Sequence, residues 1–218
     1  MFREGKHMAP RRDTLALQNA YMAERYFLAV IAPTLEKLVP ISQEQVGGPK
    51  KHLVQIARDN GHNELCYETR LSLALTMGAM FERRLRFWMS KTFPENATEI
   101  RTANYAGLLG LLGTDVETET LRELGTLSNT ARHGEGSSAD VIKDSHTRWW
   151  DHLGDILRDR YFANGLGVYT LRIADCDLKR YNRAILHFWR ELAIQHRAKR
   201  RVLMPPLRSD ENRVAARK

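Results

Sequence analysis

The chain has few cysteines, no long apolar run and none of the common nucleotide or metal signatures, and each shortage removes a class of function. Cys66 and Cys176, the two cysteines among 218 residues, lie far apart and neither sits in a CxxC pair. A disulfide framework or thiolate zinc site is therefore not expected, and a reducing compartment fits. No uninterrupted apolar segment approaches the ~20 residues needed to span a bilayer. The opening Met1-Phe-Arg-Glu-Gly-Lys-His lacks the apolar centre of a signal peptide. A cytoplasmic protein with no membrane partner is the expectation. His146, His152, His187 and His196 show no metal-ligand spacing and HExxH is absent, so no metal is called for. Without a P-loop, or a GxGxxG after a strand, no nucleotide cofactor is called for either.

Acidic residues are also in deficit, 26 against 34 lysines and arginines, for a net charge of +8. That excess is not spread evenly. Residues 197–218 carry +6 and residues 1–12 carry +3, which leaves −1 for everything between. Basic tails of this kind are either solvated and flexible or a non-specific grip on phosphate, and composition does not separate the two. A division follows: a basic arm over 1–12, a helical domain over 13–196 and a basic tail over 197–218.

What the central region does have is helical periodicity. Thr14 to Leu38 carries Leu28, Ile31, Leu35 and Leu38 at helical spacing, with Pro33 predicting a kink or break. Residues 40–62, with Pro40, Gly47, Gly48, Pro49, Asn60 and Gly61, read as a loop around a weak regular piece. Glu64 to Lys91 is the clearest amphipathic helix, with Ala74, Met77, Phe81, Leu85 and Trp88 on one face. Shorter helices are predicted over Tyr105–Leu112, Val116–Arg132 and 145–163. Gly165 to Ile173 reads as a lone strand-like run. A last helix, Asp177–His196, repeats Leu178, Tyr181, Ile185, Phe188 and Leu192. Trp149-Trp150 and Phe188-Trp189 read as core or dimer-interface aromatics. The fold class is all-α, a single-domain helical bundle.

Leu127-Ser-Asn-Thr-Ala-Arg-His-Gly-Glu-Gly-Ser-Ser138 carries the functional signal. A helix ends at adjacent Arg132 and His133 and is stopped by Gly134 and Gly136. Asn129, one turn back, lies on the His133 side. An imidazole, a guanidinium and an amide at one helix end can hold a phosphate and move protons near neutral pH. The plain alternative is that cations at a helix carboxyl end serve its dipole and nothing more. Arg83 and Arg86 read as a solvated face, whereas Glu82, beside the apolar stripe, is expected to be partly buried and paired with an arginine such as Arg132.

Three segments in this order resemble the HEPN superfamily of helical domains: Met77 to Trp88 with its central Glu82, Leu124 to Ser137, and Asp175 to Leu192. The resemblance covers about residues 64–196. It implies a metal-independent endoribonuclease, acting as a homodimer with two motifs facing one cleft, of the kind used as toxins or antiphage-defence effectors. A protein or nucleic-acid regulatory partner is a further possibility. The family motif is an arginine, a polar residue, a spacer and a histidine. His133 matches the histidine and Asn129 the polar residue, while Ser128 stands where the arginine is expected. Arg132 is then the substitute cation. The candidate set is His133, Arg132, Asn129 and Glu82 as catalytic residues, with Ser128, Gly134, Glu135 and Arg83 binding substrate. If Arg132 does not replace the motif arginine, the alternative is an inactive module that binds RNA, a nucleotide or a protein.

Overall fold

Apolar residues repeating every three or four positions bury one face of a helix. In the computed structural model, which describes residues 12–46, 52–112 and 118–198, the two strongest stripes are buried as expected. Ala74, Met77, Phe81, Leu85 and Trp88 of α4 (Leu53–Thr92) are each at most 4% exposed, as are Leu178, Tyr181, Ile185, Phe188 and Leu192 of α10 (Asp175–Ala198). They meet in an aromatic centre. The rings of Phe81 and Phe188 stand edge-on at 5.1 Å, and Trp189 lies 5.8 Å from Phe81 and 6.3 Å from Trp88. Edge contacts of this kind add to the burial energy. α1 (Arg12–Tyr26) lies along α10, while α4 packs against α7 (Glu119–His133) and α10. No strand occurs among the described residues.

Pro33 does not break the first helix. A π-turn over Phe27–Ile31, closed by the Ala32 amide donating to the Phe27 carbonyl, feeds directly into α2 (Ala32–Lys37). Proline has no N–H to give and crowds the turn before it, and widening that turn by one residue relieves the crowding.

The stretch expected to be a loop over 40–62 is corrected in its second half, because α4 begins at Leu53 and runs through Asn60 and Gly61. A helical glycine costs about 1 kcal/mol relative to alanine. Here the preceding chain is latched onto this part of the helix. The Ile41 amide donates to Asn63 Oδ1 at 2.7 Å, and Asn63 Nδ2 returns a bond to the Ile41 carbonyl at 2.9 Å. Short α3 (Gln43–Val46) follows that latch.

Beyond α4 come a 3-10 turn (Pro94–Asn96), α5 (Ala97–Thr102) and α6 (Tyr105–Leu111). α7 is followed by α8 (Ser137–Ser145), a 3-10 segment over Thr147–Leu153 and α9 (Asp155–Ala163), so the expected 145–163 helix is two pieces hinged at Gly154. The strand expected over Gly165–Ile173 is also corrected. It is a 3-10 turn (Gly167–Thr170) and an extended tail whose Leu171 and Ile173 plug the core. One backbone bond, Arg172 amide to Trp149 carbonyl at 3.0 Å, ties it down, and without a neighbouring strand it forms no ladder. Trp149 and Trp150 are core residues, with indole N–H groups donating to Asp177 and to the Gly167 carbonyl. Most of the basic arm and tail, with Gly113 and Val116, lies outside the described residues.

Candidate functional site

α7 has two faces, and their division begins in its sequence. Leu121, Leu124 and Leu127 are fully buried against the bundle. On the other side Arg122, Thr126, Asn129 and Arg132 recur at steps of four, three and three, a single stripe on a helix. This stripe borders a cleft of about 520 Å³ whose opposite wall is Ala79 and Glu82 of α4 with Asn104 and Tyr105 at the start of α6.

The cleft floor is set by a close approach of α4 and α7. Ser128, 6% exposed, donates to the Ala74 carbonyl at 3.4 Å. A Cβ placed on Gly78 would lie 2.1 Å from the Ser128 hydroxyl oxygen, so only glycine fits there. Ser128 is packed against α4 while still bordering the cleft.

Arg122 and Arg132 are exposed, and neither is held by a hydrogen bond or ion pair among the described residues. Ten residues apart on one helix, they are separated by about 15 Å along its axis. Asn129 sits between them, its amide donating to Ser138 Oγ at 2.7 Å, which ties the end of α7 to the start of α8. Tyr105 forms part of the wall. Burial, helped by the Glu82 charge, pushes its pKa upward, so the phenol stays protonated. Its hydroxyl is buried without a hydrogen-bond partner among the described residues.

Four of the expected residues, Glu82, Ser128, Asn129 and Arg132, come together in this cleft. The predicted Glu82–Arg132 pair does not form. Glu82 instead pairs with Arg86 at 2.8 Å, one turn along α4. Arg86 is accordingly not a solvated residue: it also donates to the carbonyls of Ile100, Arg101 and Ala103. A neighbour four residues away on the same helix is available before any tertiary partner arrives.

His133 is the exposed last residue of α7, about 100° round the axis from Arg132, and does not line the cleft. Gly134 closes the helix with φ of 74°, a conformation glycine adopts without strain. Glu135 has a structural role. One oxygen accepts the Val168 amide at 2.8 Å and the other pairs with Lys143, which pins the α7–α8 turn to the 3-10 turn at Gly167. Arg83 lies beyond Glu82 on α4 and borders a different groove.

Arg122, Asn104 and Tyr105 were not anticipated. For Arg122 the signal was present, as the polar stripe of α7. For Asn104 and Tyr105 no local pattern marks a residue that reaches the cleft from another helix.

Among the described residues no group of three His, Cys, Asp or Glu side chains could hold a metal ion. No described helix is long and apolar enough to cross a membrane. Compared with family models, with curated proteins and with solved structures, the chain matches none.

Proposed function

We propose that the α4–α6–α7 cleft binds the phosphate backbone of RNA and that the chain is a metal-independent endoribonuclease of HEPN type, a toxin or defence effector. The observation that carries this reading is the Arg122–Asn129–Arg132 stripe. Two cations without a carboxylate partner among the described residues flank an amide along one open cleft. The one carboxylate lining it among the described residues, Glu82, is neutralised by Arg86. Such a surface attracts a polyanion and aligns it along the helix.

Cleavage on this reading is transesterification. A base removes the proton of a ribose 2′-hydroxyl, the 2′-oxygen attacks the adjacent phosphorus, and the P–O5′ bond breaks as an acid protonates the leaving 5′-oxygen. The products are a 2′,3′-cyclic phosphate and a 5′-hydroxyl. His133 supplies the acid–base function, and Arg132 with Asn129 holds the charge that builds on the phosphorane. Because His133 stands outside the cleft, a second copy of the chain would complete the site, with the two α7 ends facing each other across the bound strand.

The test is RNA cleavage with EDTA present. Wild type is expected to cut, and His133→Ala to lose cutting while keeping RNA affinity and its helical circular-dichroism spectrum. Arg122→Ala/Arg132→Ala is expected to weaken binding about tenfold or more and to flatten its salt dependence. Equal cleavage by wild type and His133→Ala sinks the catalytic assignment. A second reading, RNA binding without cleavage, is favoured by the same position of His133 and by serine standing at position 128. It predicts no product from wild type but the same loss of affinity in the double variant.

A further inference from the structure

Further along α4 from the cleft wall, Arg83, Phe87 and Lys91 follow one another at four-residue steps. Each step rises about 6 Å, so one cation, one ring and a second cation form a row of about 12 Å on a single helix face. Phe87 is 52% exposed, and Lys91 Nζ lies 5.7 Å from its ring centroid. Across a groove of about 410 Å³ stands Arg101 of α5, with buried Ile100 at the base. No carboxylate among the described residues lines this groove. Arg83, Lys91 and Arg101 are exposed and form no ion pair among the described residues.

Exposed cations around a half-exposed aromatic leave a positive field and a ring face open to a ligand. A single-stranded nucleic acid satisfies both, because every base offers a π-face and every linkage a negative charge. A structural duplex does not, as its bases are already stacked. We propose that this groove is a stacking subsite for single-stranded RNA. One base lies on Phe87, and the flanking phosphates are taken by Arg83 and Lys91 on one side and Arg101 on the other.

The subsite extends the cleft reading and rests on it. Arg86 is the joint between the two. It pairs with Glu82 on the cleft wall and grips the Ile100, Arg101 and Ala103 carbonyls. It thereby fixes Arg101 for the groove and the chain leading into Tyr105 for the cleft. One strand crossing this joint would engage both.

The probe is a fluorescein-labelled oligoadenylate of about 12 nucleotides, 2′-O-methylated so that it is not cut, with binding to the full chain followed by anisotropy across a salt series. Phe87→Ala is expected to weaken binding about tenfold without altering the salt slope. Arg83→Ala/Lys91→Ala/Arg101→Ala is expected to lower that slope by about 2, near 0.7 for each lost phosphate contact. Phe87→Trp should keep its affinity, and its exposed indole emission should be quenched by the probe. All four positions are at the surface, so the folded chain is retained.

If these variants bind as wild type while Arg122→Ala/Arg132→Ala does not, the subsite is overturned and the cleft reading stands. Loss in the Phe87 set alone sinks the cleft reading and overturns the joined path that rests on it. Wild-type binding in both sets overturns both. Equal affinity for a duplex of the same length also overturns the stacking proposal.

Discussion

Arg122 and Glu123 are neighbours on α7 and live in opposite electrostatic surroundings. Glu123 turns inward, 11% exposed at its side chain, and takes Arg180 with both oxygens, the Tyr181 hydroxyl, and His146 at 3.5 Å. Next to it Asp177 accepts Arg148 at 2.7 Å, the Trp149 indole at 3.1 Å and the Ala174 amide at 3.0 Å. In this knot both carboxylates are satisfied several times over. On the other face Arg122, Thr126, Asn129 and Arg132 border the cleft, and the two arginines have no acid among the described residues. A buried charge must be paired or it unfolds the chain, whereas an exposed one can wait for a ligand. The difference separates the part of α7 that holds the fold from the part available for binding.

The comparison breaks if both faces respond alike. Glu123→Ala takes the partner from Tyr181 and His146 and leaves Arg180 with Asp177 at 3.7 Å, and should cost about 3 kcal/mol of unfolding free energy in a urea titration. Arg122→Ala, one residue away, should change it by less than about 0.5 kcal/mol. A loss in Arg122→Ala as large as in Glu123→Ala would show that the cleft face is structural too.

A smaller effect is expected where the two faces share a boundary. Gly78→Ala drives a methyl against the Ser128 hydroxyl and should destabilise by about 1–3 kcal/mol. Adding Ser128→Gly should recover most of that loss, since it removes the atoms in collision. No recovery would mean that the α4–α7 seam is not set by this contact.

The smallest expected effect is the pH response of the knot. Burial lowers His146 below its ordinary 6.5 despite the attraction of Glu123. The unfolded chain therefore takes up a proton that the folded chain resists, and stability falls as pH drops below 6.5. Burial raises Glu123, but the Arg180 and Tyr181 hydrogen bonds and the Arg180 charge outweigh it and hold the carboxyl below 4.5. Its contribution is complete above 4.5 and is lost as pH falls through the lower folded value. Urea midpoints measured across this range should decline as pH falls, and His146→Gln should shrink the decline below 6.5, leaving the part due to His152, which burial and the Arg172 charge lower to about 4. Substitutions at Arg122 or Arg132 should leave the decline in place.

The long helices were legible because their signal is local. Met77, Phe81, Leu85 and Trp88 repeat within one element, and any fold that uses that element must bury them together. The Glu82–Arg86 pair was equally open to reading, being four residues apart, but the expectation looked to distant Arg132. Gly61 misled for the opposite reason. Its helix-breaking tendency of about 1 kcal/mol was outweighed by side-chain bonds to Ile41, twenty-two residues away from Asn63. The motif around His133 placed the helix end correctly, yet Glu135 in that motif turned out to be a pin for Val168, a partner with no trace in the local pattern.

By itself, then, the sequence determined that the described chain is helical, which faces are apolar, and that α7 carries Arg122, Asn129 and Arg132 in line and ends at His133-Gly134. These properties follow from the 3.6-residue repeat and the backbone freedom of glycine, both local. Only the tertiary structure decided that the polar line borders a cleft, that Ser128 is sealed against Gly78, and that Glu123 is consumed by Arg180 while Arg122 is left open. Those outcomes depend on which remote helices arrive on each side of α7, and pairing between distant charges has no periodicity to announce it.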